Sequence, residues 1–341
     1  MARGAQRVMW FGFGWALASA AYAAPVDPAG PLDGDPAGIV NGEVEDGFPS
    51  TMSLGADFGG RMSTCTASLI TPKMLLTAAH CTAEYLKYGI PEALIVEVGR
   101  VFPHADVQKG PALKMAEVIN HPEYVYDPQT GTETPRFDWG VIVLEEEYND
   151  VEPVWFETEK FDETDIGTRL KSVGYGITDA RTQGGSGRRR SVDIVVADVD
   201  GQFLLSATQG NPGEGNICSG DSGGPQYFET EDGRLVQWAV HSWSDVNCEY
   251  LSGSARTDKG ADFILEHVNA VHGTTDFCEI TGRNGDGTCD AWCDADPDCF
   301  EGGGAAAGGE GGERDCGCDG GAGGAGALAI GAALLGLRRR R

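Results

Sequence analysis

The sequence predicts an all-β domain closed by one carboxy-terminal helix and carried by an exported chain, and three observations predict it. Short β-branched runs separated by Gly, Pro and Asp turns occupy residues 39 to about 273. Ten cysteines fit disulfides made in an oxidising compartment, where a cytosolic chain would point to metal or redox chemistry. The amino terminus has the order of an export signal: Arg3 and Arg7, the apolar stretch Val8 to Ala18, then the small-x-small site Ala21-Tyr22-Ala23, which assigns residues 1–23 to the signal. That apolar stretch is shorter than the roughly 20 residues a membrane span needs.

At 341 residues the chain is long enough for one large core or two modest ones. Its formal charge of −27, from 52 acidic and 25 basic residues, disfavours a polyanionic partner and excludes nucleic acid as the expected ligand. The 51 glycines stand well above the roughly 7% of average usage, and many follow Phe300, which marks a linker there.

Residues 24–38 are rich in Pro, Gly and Asp without apolar periodicity, as a short propeptide would be. Strands are expected at Ala93–Val98, Gly140–Leu144, Val192–Val196 and Val236–Val240. From Ala261 to Val271, Phe263, Ile264, His267, Val268 and Val271 recur at helical spacing and the pattern stops at Gly273, so an amphipathic helix is expected to dock on the sheets. A Cys-rich and Asp-rich knot spans residues 278–299, and residues 300–341 hold a Gly/Ala/Glu linker and a tail. Arg188-Arg189-Arg190 is expected in an exposed loop.

Attack on a carbonyl by a serine needs a base, a carboxylate that holds the base's tautomer, and donors for the oxyanion. Gly220-Asp221-Ser222-Gly223-Gly224-Pro225 sets Ser222 among glycines, with the Gly220 and Ser222 amides able to converge on an oxyanion. Thr77-Ala78-Ala79-His80-Cys81 offers the base, and Phe137-Asp138-Trp139-Gly140-Val141 places Asp138 at the start of a buried strand. His121 and His241 lack such surroundings and are expected to be structural. Nothing in this chemistry calls for a cofactor or a metal.

These motifs, in the order His, Asp, Ser, resemble the trypsin/chymotrypsin family. So do Cys65-Thr66-Ala67-Ser68-Leu69-Ile70, Asn120-His121-Pro122, Gly174-Tyr175-Gly176 and Ser242-Trp243. The resemblance covers residues 39–273 and implies two six-stranded antiparallel β-barrels with a carboxy-terminal helix. By it, His80 is base and then acid, Asp138 orients it, and Ser222 is the nucleophile of a secreted serine endopeptidase acting on proteins or peptides. Ser242 would bond near the aspartate while its segment pairs with substrate backbone. The implied disulfides are Cys65 with Cys81 and Cys218 with Cys248.

The family is made as zymogens, and Ile39-Val40-Asn41-Gly42 matches the new amino terminus that an activating protease exposes. The resemblance implies that the freed Ile39 ammonium pairs with Asp221. Gly38 stands before the bond where many relatives carry Arg or Lys, so a trypsin-like activator is not expected. Asn216 falls at the base of the specificity pocket, with Ser244 and Gly253 on its walls. A neutral amide there forfeits the charge that selects Arg or Lys, leaving a weakened basic, an aromatic or a polar preference open.

The knot resembles short Cys/Asp repeats of extracellular proteins, and either a bound hard cation or disulfides alone would account for it. Asp315-Cys316-Gly317-Cys318, an apolar stretch and Arg338–Arg341 resemble the carboxy-terminal sorting signals of myxobacterial surface proteins, implying a membrane or lipid anchor at the outer surface. The alternative to an enzyme is a non-catalytic adhesion or binding protein that retains the fold.

Overall fold

The computed structural model describes residues 39–57, 60–87, 89–127, 132–208, 214–293 and 296–299. The expected signal (residues 1–23), propeptide (24–38), and linker and tail (300–341) lie outside the described residues. In chain order the strands of the first half are β1 (Glu43–Val44), β2 (Thr51–Asp57), β3 (Arg61–Thr71), β4 (Met74–Thr77), β5 (Gly99–Phe102), β6 (Leu113–Asn120), β7 (Val125–Asp127), β8 (Thr132–Arg136) and β9 (Gly140–Leu144). Two helices, α1 (His80–Lys87) and α2 (Glu92–Val98), lie between β4 and β5. The second half holds β10 (Arg169–Gly174), β11 (Arg190–Val199), β12 (Phe203–Ala207), β13 (Pro225–Glu229), β14 (Leu235–Ser244) and β15 (Leu251–Arg256), then α3 (Thr257–His272) and α4 (Phe277–Ile280).

Two closed antiparallel barrels result. The first runs β2-β3-β4-β9-β6-β5, and the second runs β11-β10-β13-β14-β15-β12 and closes through β11–β12, with β1 added beside β11. Closure leaves no unpaired edge in either six-stranded ring. The first core gathers Met52, Leu69, Leu75, Leu76, Val101, Val141 and Ile142, all fully buried. The second gathers Phe161, Leu170, Val196, Leu204 and Trp238. Each such side chain contributes about 1.5–3 kcal/mol of burial. Strand β9 is buried along its whole length because one face fills the barrel and the other is covered, which is why its sequence is a continuous apolar run.

Helix α3 contains the expected 261–271 pattern and ends where Gly273 takes the left-handed conformation at φ 75°. It presses on the segment that carries Asp138: a Cβ on Gly260 would lie 2.8 Å from the Trp139 ring. His272 Nε2 also lies 2.9 Å from Thr71 Oγ1 in the first barrel.

Two expectations are corrected. Ala93–Val98 is not a strand but most of helix α2, which starts after Pro91 and buries only Ile95. Its β-branched residues suggested a strand, but Pro91 presets φ at −62° for a helix start, and the extended chain resumes only at Gly99. Nor do the three arginines form an exposed loop: Arg189 and Arg190 are 3% and 1% exposed. The Arg189 guanidinium donates to the carbonyls of Glu45, Asp46 and Thr51 and ties residues 45–51 to the second barrel.

The Cys/Asp knot is stapled by Cys278–Cys293 and Cys289–Cys299 and packs against the barrels. Phe277 lies between Trp155 and Trp292, with ring centroids 5.0 and 5.6 Å away. Arg234 and Arg283 both approach the Trp292 ring, and Arg283 pairs with Glu152 and Asp290. Within the knot the carboxylates serve the backbone: Asp296 accepts from the amides of Gly285, Asp290 and Asp298, and Asp298 from Gly287. Phe277→Ala is expected to cost about 3–5 kcal/mol and to expose the knot to proteolysis. Thermal unfolding and limited digestion check both effects.

Candidate active site

His80 is the first residue of α1, where backbone amides have no partner within the helix. Asp138 supplies one from across the barrel: its Oδ1 accepts the His80 amide at 2.9 Å while its Oδ2 lies 2.8 Å from His80 Nδ1. One carboxylate thus fixes both the backbone and the ring of His80. The Asp138 side chain is fully buried, whereas that of His80 is 21% exposed. Cys65–Cys81 anchors α1 to β3, and Thr82 donates to Asn120 at 2.6 Å to fix its third residue to β6.

Asp138 follows a tight bend. Phe137 has φ 53°, an uncommon conformation for an aromatic residue, and Trp139 N–H donates back to the Phe137 carbonyl at 2.9 Å. The bend is held by packing of Phe137, Trp139 and Phe263 around His121, with ring centroids 5.0–5.6 Å from the imidazole. Burial lowers the pKa of His121, as expected of a structural histidine. Ser242 donates to Asp138 Oδ2 at 2.5 Å. With the His80 amide and ring it gives the buried carboxylate three partners.

The loop of Ser222 bridges the two barrels. Thr66 N–H donates to the Ser222 carbonyl and Thr66 Oγ1 to the Gly220 carbonyl, both at 2.8 Å, while Thr66 Oγ1 also accepts the Tyr175 amide. Thr66 is the first barrel's grip on the loop; the sequence shows the residue but not this role. Glycine is required at two points. Gly220 has φ 94°, and a Cβ on Gly223 would come within 2.1 Å of Thr77 Oγ1. The amides of Gly220 and Ser222 enter no hydrogen bond among the described residues, so two donors remain beside the serine.

Asp221 is fully buried, and its two oxygens accept the amides of Gly176 and Cys218, each at 2.8 Å. Its room comes from Gly174 and Gly176, where a Cβ would sit 2.2 and 2.7 Å from the carboxyl. Burial pushes its pKa up to about 7, against the pull of these amides and of Arg190. Ile39 is also fully buried, and Val40 pairs with Asn216 in an isolated bridge.

Asn216 is 1% exposed, its Oδ1 accepting the Ile217 amide at 2.9 Å. Cys218–Cys248 joins this segment to the loop between β14 and β15. Gly253 lies in β15 against Trp243, where a Cβ would approach within 2.4 Å, and Ser244 ends β14 with its hydroxyl 3.7 Å from Cys248 Sγ. The described residues contain one group with metal-binding spacing, Cys65, His80 and Cys81, but its two sulfurs are joined in a disulfide.

A base oriented by a buried carboxylate, a serine set among glycines and two spare amides are the materials of acyl transfer through a serine. A family model described as Trypsin matches residues 39–261, and the chain belongs to this family of serine endopeptidases. It is 29% identical to a trypsin of Saccharopolyspora erythraea over 68% of this chain and 99% of that one. It is 28% identical to a tryptase of Mus musculus, over 67% of this chain and 85% of the relative. The suppressor of tumorigenicity 14 protein homolog of Bos taurus is 25% identical over 61% of this chain, and the match spans a quarter of the bovine protein's length. Among the described residues no helix is long and apolar enough to cross a membrane.

Proposed function

We propose that the chain is a secreted serine endopeptidase made as a zymogen, with Ser222 as nucleophile, His80 as base and then acid, and Asp138 as the group that orients His80. Attack of Ser222 Oγ on a peptide carbonyl passes the hydroxyl proton to His80, and the Gly220 and Ser222 amides receive the oxyanion. Collapse of the tetrahedral intermediate breaks the C–N bond and returns that proton to the leaving amine. A water activated by His80 then hydrolyses the acyl-enzyme. The observation that carries this reading is the double grip of Asp138 on the His80 backbone and ring.

The partners are protein or peptide substrates and an activating protease that cuts after Gly38. The freed Ile39 ammonium then pairs with Asp221 and orders the Gly220 and Ser222 amides. The export signal and the carboxy-terminal tail support a secreted form held at the outer surface. Asn216 forms the floor of the specificity pocket, Ser244 and Gly253 its walls, and the Ser242 segment pairs with substrate backbone.

The test is hydrolysis of an unfolded fluorescent protein before and after an engineered cleavage directly before Ile39. Activity is expected to rise by about 100-fold or more on release, since a buried ion pair forms only then. Equal activity before and after release would overturn the zymogen reading, and no activity in either form would overturn the enzyme.

A further inference from the structure

We infer that the pocket beside Ser222 selects an acidic side chain, glutamate or aspartate, on the amino side of the scissile bond, through His241 and Asn216. This rests on the proposed roles of Ser222 as nucleophile and Asn216 as pocket floor.

His241 lies directly behind the nucleophile. Its amide donates to the Gly224 carbonyl and its carbonyl accepts from Gly223, both at 2.8 Å. A Cβ on Gly224 would lie 3.0 Å from the ring. The imidazole therefore packs on main chain two residues from Ser222, while the next residue, Ser242, holds Asp138. On β15, Ser254 Oγ lies 3.2 Å from His241 Nδ1, and Ser252, two residues earlier, shares that strand face.

Three buried side chains there keep unused hydrogen-bonding capacity. Among the described residues His241 Nε2, Asn216 Nδ2 and Ser252 Oγ have no partner, although the residues are 0%, 1% and 1% exposed. Buried polar atoms are ordinarily paired, so these three, two on the β14–β15 pair behind the nucleophile loop and one at the proposed pocket floor, point to a ligand that completes them. All three can donate. The Asn216 oxygen is already occupied by the Ile217 amide, which leaves its N–H groups to give, and a serine hydroxyl and an imidazole N–H give as well.

An arginine or lysine would need acceptors and a counter-charge. Asp221, the carboxylate of the nucleophile loop, has both oxygens engaged by backbone amides. A carboxylate, by contrast, can take a donor from each of the three. Of the elements packed on His241, β15 presents the neutral Ser252 and Ser254, and the nucleophile loop presents Asp221 turned toward Gly176 and Cys218. Burial pushes the empty imidazole's pKa down to about 3, so the ring is neutral at rest. It takes up a proton from solvent when an acidic side chain arrives to pair with it.

The test uses the full protein cleaved before Ile39, titrated with a fluorophosphonate, and peptides that differ only at the residue before the scissile bond. Glu or Asp is expected to exceed Gln in kcat/KM by about 10- to 100-fold, with Arg and Phe below both acids. His241→Val and His241→Gln are each expected to collapse the Glu-to-Gln ratio toward one. Asn216→Asp should abolish the preference for acids by placing a carboxylate against the substrate's own. Preference for Arg or Phe by fully titrated enzyme would overturn the inference and leave the nucleophile standing, as would a Glu-to-Gln ratio unchanged in both His241 variants. Absence of fluorophosphonate labelling would overturn the nucleophile reading and this inference with it.

Discussion

Ser222→Ala and His80→Ala are each expected to lower kcat of the matured protein by roughly a million-fold, with KM little changed. The two groups act on one proton, so the double variant should be scarcely worse than either single one. Asp138→Asn should cost about ten thousand-fold. Asparagine keeps one acceptor oxygen and puts a donor where the other stood, so it cannot accept from both the His80 backbone and ring, and the imidazole is left in the wrong tautomer. Single-turnover kinetics on one peptide at matched concentrations of folded protein measure all four variants. Independent, multiplying losses for Ser222 and His80 would show that they do not share a step.

The second large effect concerns Asp221. Asp221→Asn is expected to leave the precursor folded but to lower kcat/KM of the matured form by two to three orders of magnitude. The reason is that a buried Ile39 ammonium without its carboxylate costs about 3–5 kcal/mol. The same pair carries a pH signature. In the uncleaved chain the folded pKa of about 7 lies above the unfolded carboxylate's value, so native Asp221 holds its proton more tightly than the unfolded chain does. Its contribution to stability is complete at about pH 4 and is lost as the pH rises through about 7. The freed ammonium favours the charged carboxylate, lowers that pKa and reverses the slope. Matured protein should therefore gain stability over precursor between about pH 5 and 8, and Asp221→Asn should remove the difference. Parallel Tm-against-pH curves for the two forms would contradict the pairing.

Much of this protein is legible from its residues because its signals are local. Gly140–Leu144 reads as a buried strand since every position is apolar, and the 261–271 helix reads from its period and its terminal Gly273. Ala93–Val98 misleads because five apolar residues in six, three of them β-branched, satisfy a strand as well as a short helix, and Pro91 decides between them. The arginines at 188–190 mislead because charge suggests solvent, while carbonyls from distant segments receive Arg189 in the interior. The motifs name His80, Asp138 and Ser222, but the parts that join the barrels come from far apart in sequence. Thr66 reaches Gly220 and Ser222 across about 155 positions, a contact that no local pattern encodes. His241 shows the same limit. Its sequence neighbourhood suggests a structural histidine, and only the unpartnered Nε2 of a fully buried ring suggests otherwise.

The most direct measurement is fluorophosphonate labelling of the protein processed to begin at Ile39, with Ser222→Ala as control and mass spectrometry to locate the adduct. One adduct per molecule on Ser222, absent from the control and from His80→Ala, is the predicted result. A folded protein with a free Ile39 terminus that takes no label, or takes it at another serine, would contradict the assignment of the nucleophile.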